Sequence, residues 1–385
     1  MDLSRTQEQD QLCTDVIAFA KQSLNDDFVA RERAGTFSRE LWQECARFGI
    51  QGLPVPEEFG GAGLDVLTTM FAMESLGYAC RDQGLLFSLH AHMWAIQSPI
   101  LRFGTPEQKQ RWMRPLVDGT LIGAHAMSEP ESGTDAFALR TRAERRGDRY
   151  ILNGSKTFVT NAPIGDLFLV FATVDPKKGM WGISGFLVER GTKGLSLGKP
   201  LDKAGLTTSP TGEVFLDDCE VPADCLLGRV GSGAQIFNHS MAWERSCILG
   251  SLVGAMQHEL ETCVEYAKTR QQFGKPIGNF QLIAGKLADM KLRLETSRAL
   301  LYRAAWAHGT GEPSALDGAL AKLHISEAAV QSSLDAIQIH GGYGYMREYE
   351  MERHLRDNLS ARLYSGTSEI QRLIIARHLG LEPQT

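Results

Sequence analysis

No stretch of the 385 residues approaches the ~20 consecutive apolar residues of a membrane-spanning helix. The start, MDLSRTQEQDQL, also lacks the basic-then-apolar run of a secretory signal. Cysteine is sparse and scattered, with seven residues at 13, 45, 80, 219, 225, 247 and 263 and no C-x-x-C pair. An odd, dispersed set argues against a disulfide framework and for a reduced, cytoplasmic protein. A basic excess is missing as well: the formal net charge is −6, and cations alternate with carboxylates, as in 289-DMKLRLETSR-298. No nucleic-acid groove is expected from that pattern. No metal site is expected either, since His90 and His92 lie two apart and so off any common helical face. Rossmann, P-loop and G-x-S-x-G fingerprints are all absent. The near-match 228-GRVGSGAQIF-237 has no βαβ unit before it and reads as a linker into a helix. A nucleotide cofactor here must be held by some other device.

What is present is an ordinary globular composition, 43% hydrophobic and 22% charged with 39 glycines, in a chain long enough for two or three domains. Three zones follow one another. Residues 1–122 are helical in pattern, with Leu12, Val16, Phe19 and Ala20 at spacings of three and four, punctuated by 54-PVPEEFGGAG-63 and 104-GTPEQ-108. Residues 123–229 change to short β-rich runs such as 150-YILNGSKTFVT-160, 167-LFLVFATV-174 and 213-EVFLDDCEV-221, a mostly antiparallel β-domain. Residues 230–385 return to long helices: one from about Ala234 to Gln272 with a possible break, one from Gln281 to His308, and one towards Ile339. The segment 309-GTGEPS-314 stops one helix and restarts the next, and 341-GGYGY-345 interrupts the last. The class is mainly α with a central β-domain.

Five segments carry a resemblance across nearly the whole chain: 127-MSEPESGTD-135, 153-NGSKTFVTNAP-163, 268-KTRQQFGKPIGNFQ-281, 338-QIHGGYGY-345 and 363-LYSGTSEIQR-372. In their order and spacing they resemble the acyl-CoA dehydrogenase flavoprotein family. That resemblance implies an N-terminal helical domain, a middle antiparallel β-barrel and a C-terminal four-helix bundle. It also implies bound FAD, with Met127, Ser128 and Thr134 lining the flavin and Phe158 and Thr160 flanking the isoalloxazine. Phe158 stands where many relatives carry tryptophan. Arg270, Gln272 and Phe273, with Gln281, would reach a neighbouring subunit's FAD, while Gln338, Gly341 and Gly342 would cradle its pyrophosphate and adenosine end. Thr367 and Glu369 would lie near that cofactor, Glu369 replacing a common glutamine. Read alone, 127–135 is a polar turn after a strand, and Arg270 is a basic cap on a helix end.

Removing hydrogen α and β to a thioester carbonyl needs a carboxylate against the α-carbon and a hydride acceptor facing the β-carbon. Many family members place that carboxylate before the glycine of the C-terminal motif, where this chain has Ser365, which cannot be a base at neutral pH. The family's alternative position precedes an arginine on the first helix of the C-terminal domain, and 241-MAWERS-246 puts Glu244 there. Alone, Glu244–Arg245 reads as a solvated charge pair on a helix. Within the family Glu244 becomes the base, with a pKa raised by apolar enclosure, from Trp243 or a bound acyl chain. The Ser365 backbone N–H is left to polarise the thioester carbonyl. Cys247, Ser251, Gly254 and Ala255, near the same side as Glu244, leave room for a partner helix or a ligand.

Trp243, Ser365 and the runs 156-KTFVTNAPIGDLF-168 and 200-PLDKAGLTTSPTGEVFLDDCEVP-222 are similar to a subgroup of that family. Its members oxidise aminoacyl groups, prolyl among them, on peptidyl carrier proteins in secondary metabolism. The substrate implied is a carrier-bound aminoacyl thioester, with a short or branched acyl-CoA as the alternative. An electron-transfer flavoprotein or O2 would take the electrons. The cross-subunit residues imply at least a dimer, and the family form is a tetramer. A non-catalytic flavin-bearing protein is the remote alternative.

Overall fold

A computed structural model of the protein describes residues 3–310 and 314–381. The first zone is helical, and its helices start at capping residues. Thr6 forms a capping box with Gln9 at the head of α1 (Gln7–Ser23). After α2 (Phe28–Ala34) and α3 (Arg39–Phe48), Asp65 accepts the Thr68 N–H to open α4 (Val66–Ala79). α5 (Gln83–His92) and α6 (Ser98–Phe103) follow, and Thr105 with Pro106 at the first position opens α7 (Pro106–Val117). That start explains the turn signal in 104-GTPEQ-108. α4 is buried on nearly every side, so it is a central helix and not a surface one.

The middle zone is one eight-stranded sheet: β1 (Gly123–Ala126), β2 (Arg142–Arg146), β3 (Arg149–Thr160), β4 (Leu167–Thr173), β5 (Ile183–Glu189), β6 (Leu195–Leu197), β7 (Thr211–Pro222) and β8 (Leu226–Leu227). The ladder runs β6-β7-β3-β2-β4-β5-β8, with β1 added on β4. Pairing is antiparallel except for β1 on β4 and one residue pair of β2 with β4. β4 is buried along its whole length, which is why it appears as an unbroken apolar run. A bulge in β3 between Lys156 and Val159 holds Phe158 at φ 54° with its ring 72% exposed.

The long helix expected from Ala234 is two helices, α8 (Gly233–Cys247) and α9 (Gly250–Thr269), parted at Ile248–Leu249. It also ends earlier than expected, because Gln271–Gln272 (β9) and Lys275–Pro276 (β10) pair as a hairpin. α10 (Gln281–Gly309) and α11 (Ala315–His340) match the expected spans, with Ser314 capping the second; Pro313 lies outside the described residues. α12 (Met351–Leu359) and α13 (Ser368–His378) complete the chain.

Zones separated in sequence share a core. Trp42, Met70 and Phe71 of the first helices pack into one cluster with Cys247, Val253, Leu294 and Ala329 of the last. A second cluster joins the sheet to α6 and α7 through Ile100, Trp112, Phe168 and Phe186. The crossing of α4 and α9 is tight: a Cβ on Gly77 would meet the Ser251 carbonyl at 1.9 Å, and one on Gly254 the Glu74 carbonyl at 1.9 Å. The small residues of α9 therefore serve a partner helix, one of the two roles open to them.

Candidate active site

α8 turns Glu244 inward, leaving it 8% exposed, and the 364–366 turn comes to it from the far end of the chain. The Ser365 hydroxyl donates to Glu244 Oε2 at 2.5 Å. The turn is left-handed at two successive residues, Ser365 at φ 54° and Gly366 at φ 91°, which is unusual for serine and needs support from outside. That support comes from two helices. Arg245 Nε of α8 donates to the Ser365 carbonyl at 3.2 Å, and Gln371 Nε2 of α13 donates to the Gly366 carbonyl at 2.8 Å. Among the described residues the Ser365 N–H donates to no group. Burial pushes the Glu244 carboxyl up to about 7, against the opposing pull of the Ser365 hydroxyl and the Arg245 guanidinium. A carboxyl poised there exchanges a proton readily near neutral pH.

Past Glu244, Ile248, Ser251 and Leu252 face Phe87, His90 and Tyr364 around a cavity of about 20 Å³. The Tyr364 ring lies 4.7 Å from Phe87. A buried chain of polar groups borders the cavity. The Trp94 indole can only donate, and it donates to His90 Nδ1 at 2.9 Å. His90 Nε2 therefore carries the proton and donates to Ser251 Oγ at 2.9 Å, leaving the Ser251 hydroxyl free to donate in turn. Burial pushes His90 down to about 3, so the imidazole is neutral. Trp243 stacks on Trp94 at 5.6 Å and sits 4.7 Å from His308, so it packs in the protein wall beside Glu244.

The residues expected to line a flavin fall in two groups. Met127, Ser128 and the loop to Thr134 leave β1, and the Thr157 N–H donates to the Ser128 carbonyl at 2.9 Å, which brings them beside Phe158 and Thr160 at the end of β3. Lys156, fully buried, clamps the two together by donating to the Met127 carbonyl at 3.1 Å and to Glu129 at 2.7 Å. Neither Lys156 nor Glu129 was singled out in the sequence, where they lie 27 apart. A buried lysine requires a partner, but local pattern does not name it. Arg270, Gln272, Gly341 and Gly342 line a separate cavity of about 420 Å³ together with Tyr266 and Tyr343. Arg270 lies over the Tyr343 ring at 5.4 Å, and a Cβ on Gly341 or Gly342 would meet nothing within 4 Å. An arginine, open glycine backbone and an aromatic face suit a phosphate and a nucleotide ring.

Other expected residues stand apart. Gln338 is exposed, its carbonyl accepting the Gly341 N–H. Phe273, 92% exposed at φ 51°, meets only Phe280 among the aromatic rings, and Gln281 is exposed at the start of α10. Thr367 caps α13, and exposed Glu369 pairs with Arg372 at 4.0 Å. Among the described residues no group of three or more His, Cys, Asp and Glu could hold a metal ion, and no helix is long and apolar enough to cross a membrane.

Comparison with known proteins extends along the same chain. Family models for the acyl-CoA dehydrogenase N-terminal, middle and C-terminal domains match residues 6–120, 124–219 and 231–380. An L-prolyl-[peptidyl-carrier protein] dehydrogenase of Pseudomonas fluorescens is 44% identical over 372 residues, 96% of each chain. The crystal structure of the prolyl acyl carrier protein oxidase AnaB superposes with a TM-score of 0.97 at 48% identity, covering 98% of this chain and 100% of that one. A structure described as PigA with FAD and proline gives 0.97 at 43% identity, covering 99% and 100%.

Proposed function

This chain belongs to the acyl-CoA dehydrogenase family, FAD-dependent oxidoreductases of CH–CH bonds, and we propose that its substrate is a prolyl-like aminoacyl thioester on a peptidyl carrier protein. The observation that carries the reaction is Glu244, a buried carboxyl poised at about 7 and held by the Ser365 hydroxyl. Glu244 takes the α-proton on the oxygen that Ser365 does not engage. The Ser365 N–H, which donates to no group among the described residues, donates to the thioester oxygen as charge develops on it. Bound FAD supplies the acceptor for the β-hydrogen.

The fit of FAD rests on the two groups of residues above. Met127, Ser128, Thr134, Phe158 and Thr160 hold the flavin end. Gln338, Gly341 and Gly342 hold the pyrophosphate and adenosine end, with Thr367 and Glu369 nearby. Arg270, Gln272, Phe273 and Gln281 act on the FAD of a second copy, a role consistent with the isolation of Phe273 from its own chain. On this reading the enzyme is a homo-oligomer, a tetramer as in the family, working in the cytoplasm.

The carrier-bound prolyl reading draws on the relatives' stated substrates. The relatives' names divide between dehydrogenase and oxidase, so the acceptor is either an electron-transfer protein or O2. Glu244→Gln keeps its yellow FAD but no longer bleaches when prolyl-carrier thioester is added without oxygen. Normal bleaching of that variant would remove Glu244 as base. Bleaching of the wild type by butyryl-CoA and not by prolyl-carrier would replace the substrate.

A further inference from the structure

We propose that the 175–182 and 228–232 loops, at the head of α8, form the docking face for an acidic carrier domain whose thioester arm reaches along the length of that helix to Glu244. The proposal rests on the carrier-bound substrate read above.

The two loops are built into one surface. The Gly231 N–H donates to Ser184 Oγ at 3.0 Å, and a Cβ at Gly231 would lie 2.6 Å from the Trp181 carbonyl. The Val174 N–H donates to the Gly182 carbonyl at 2.8 Å, closing the base of the first loop. On this ordered frame Trp181 is 69% exposed and Val230 51% exposed, with Met180 beside them. A large apolar side chain held in water by an ordered loop is the mark of a contact surface. Lys177, Lys178 and Arg229 are exposed around it, three cations against the single carboxylate of Asp175. That carboxylate is already engaged, accepting the Lys177 N–H at 3.1 Å and pairing with Lys178 at 3.4 Å. A local cationic excess on a chain of net charge −6 selects a partner of opposite sign.

α8 begins at Gly233, directly after the second loop. Gln235 and Asn238 are exposed on its first turns, so the head of the helix meets solvent beside the loops. From Gly233 to Glu244 the helix rises about 16 Å at 1.5 Å per residue. That is the scale of an extended phosphopantetheine arm, so a carrier seated at Trp181 delivers its acyl group to the base.

The test compares two substrates on the FAD-loaded enzyme: prolyl thioester on an acidic peptidyl carrier protein, and the same prolyl group on free pantetheine. A variant combining Trp181→Ala, Lys177→Glu and Lys178→Glu is expected to lose roughly tenfold in kcat/KM on the carrier substrate, with the pantetheine rate unchanged. Rising salt should lower the wild-type rate on the carrier substrate only. Unchanged carrier turnover, or equal loss on both substrates, overturns the proposal. A change in the variant's oligomeric mass would assign the face to a second copy instead. If the wild type oxidises no prolyl-carrier thioester, the substrate reading fails alone. The face is then judged by titrating the unacylated holo-carrier protein, and equal binding by wild type and variant overturns it.

Discussion

Glu244 and Ser365 behave as one acid–base unit, since the hydroxyl that contacts Oε2 favours the charged carboxylate. Ser365→Ala removes that hydrogen bond, so the acidic limb of kcat/KM should move about one pH unit upward, while kcat at pH 9 stays near wild type. Ser365→Thr should restore the wild-type limb; a limb unmoved in Ser365→Ala would deny the pairing. Stability runs the other way. The Glu244 carboxyl is raised, so its contribution is present at low pH and is lost as pH rises through about 7. Glu244→Gln should therefore gain in Tm over wild type at pH 9 and not at pH 5. Both residues could be singled out in the sequence, each from its own motif. Their contact could not, because 121 residues separate them and a left-handed turn clamped by Arg245 and Gln371 brings them together. His90 was likewise read only as a non-ligand, since one of its two polar partners, Ser251, comes from another helix.

At the scale of elements, the α4–α9 crossing sets how closely the helix that follows Glu244's own packs on the N-terminal helices. Gly254→Ala places a methyl where the Glu74 carbonyl already stands, and the helices must separate. A loss of about 1–3 kcal/mol in urea unfolding is expected, with FAD still bound after folding. An unchanged midpoint would mean the crossing is looser than its geometry. Helix identity, caps and the β-zone were legible because period and turn chemistry are local. The break at Ile248–Leu249 was not located, because apolar residues continue across it. Phe158 shows the same limit, a strand residue by pattern that a bulge turns to φ 54°. Phe158→Gly should relieve about 1 kcal/mol of backbone strain yet weaken FAD retention, read as a higher apo-protein Tm beside a larger FAD Kd.

The whole molecule is held by pairings between its two ends. The zone order was readable from composition, but nothing in a one-dimensional pattern told which helical zone would face which. Residues 1–122 expressed alone should not give a cooperative unfolding transition, because Trp42, Met70 and Phe71 lack their partners. Mixing that fragment with residues 123–385 should restore cooperativity and FAD binding; a stably folded isolated fragment would contradict the shared core.

The same feature bears on how the protein is made. Gly77 and Gly254 each pack against the backbone of the other helix across the α4–α9 seam, yet the ribosome synthesises Gly254 177 residues after Gly77. At typical elongation rates of about 5–20 residues per second, α4 waits on the order of ten seconds with its apolar surface uncovered. Through that interval the nascent chain is a client for chaperones, and slowing translation between α4 and α9 lengthens its exposure.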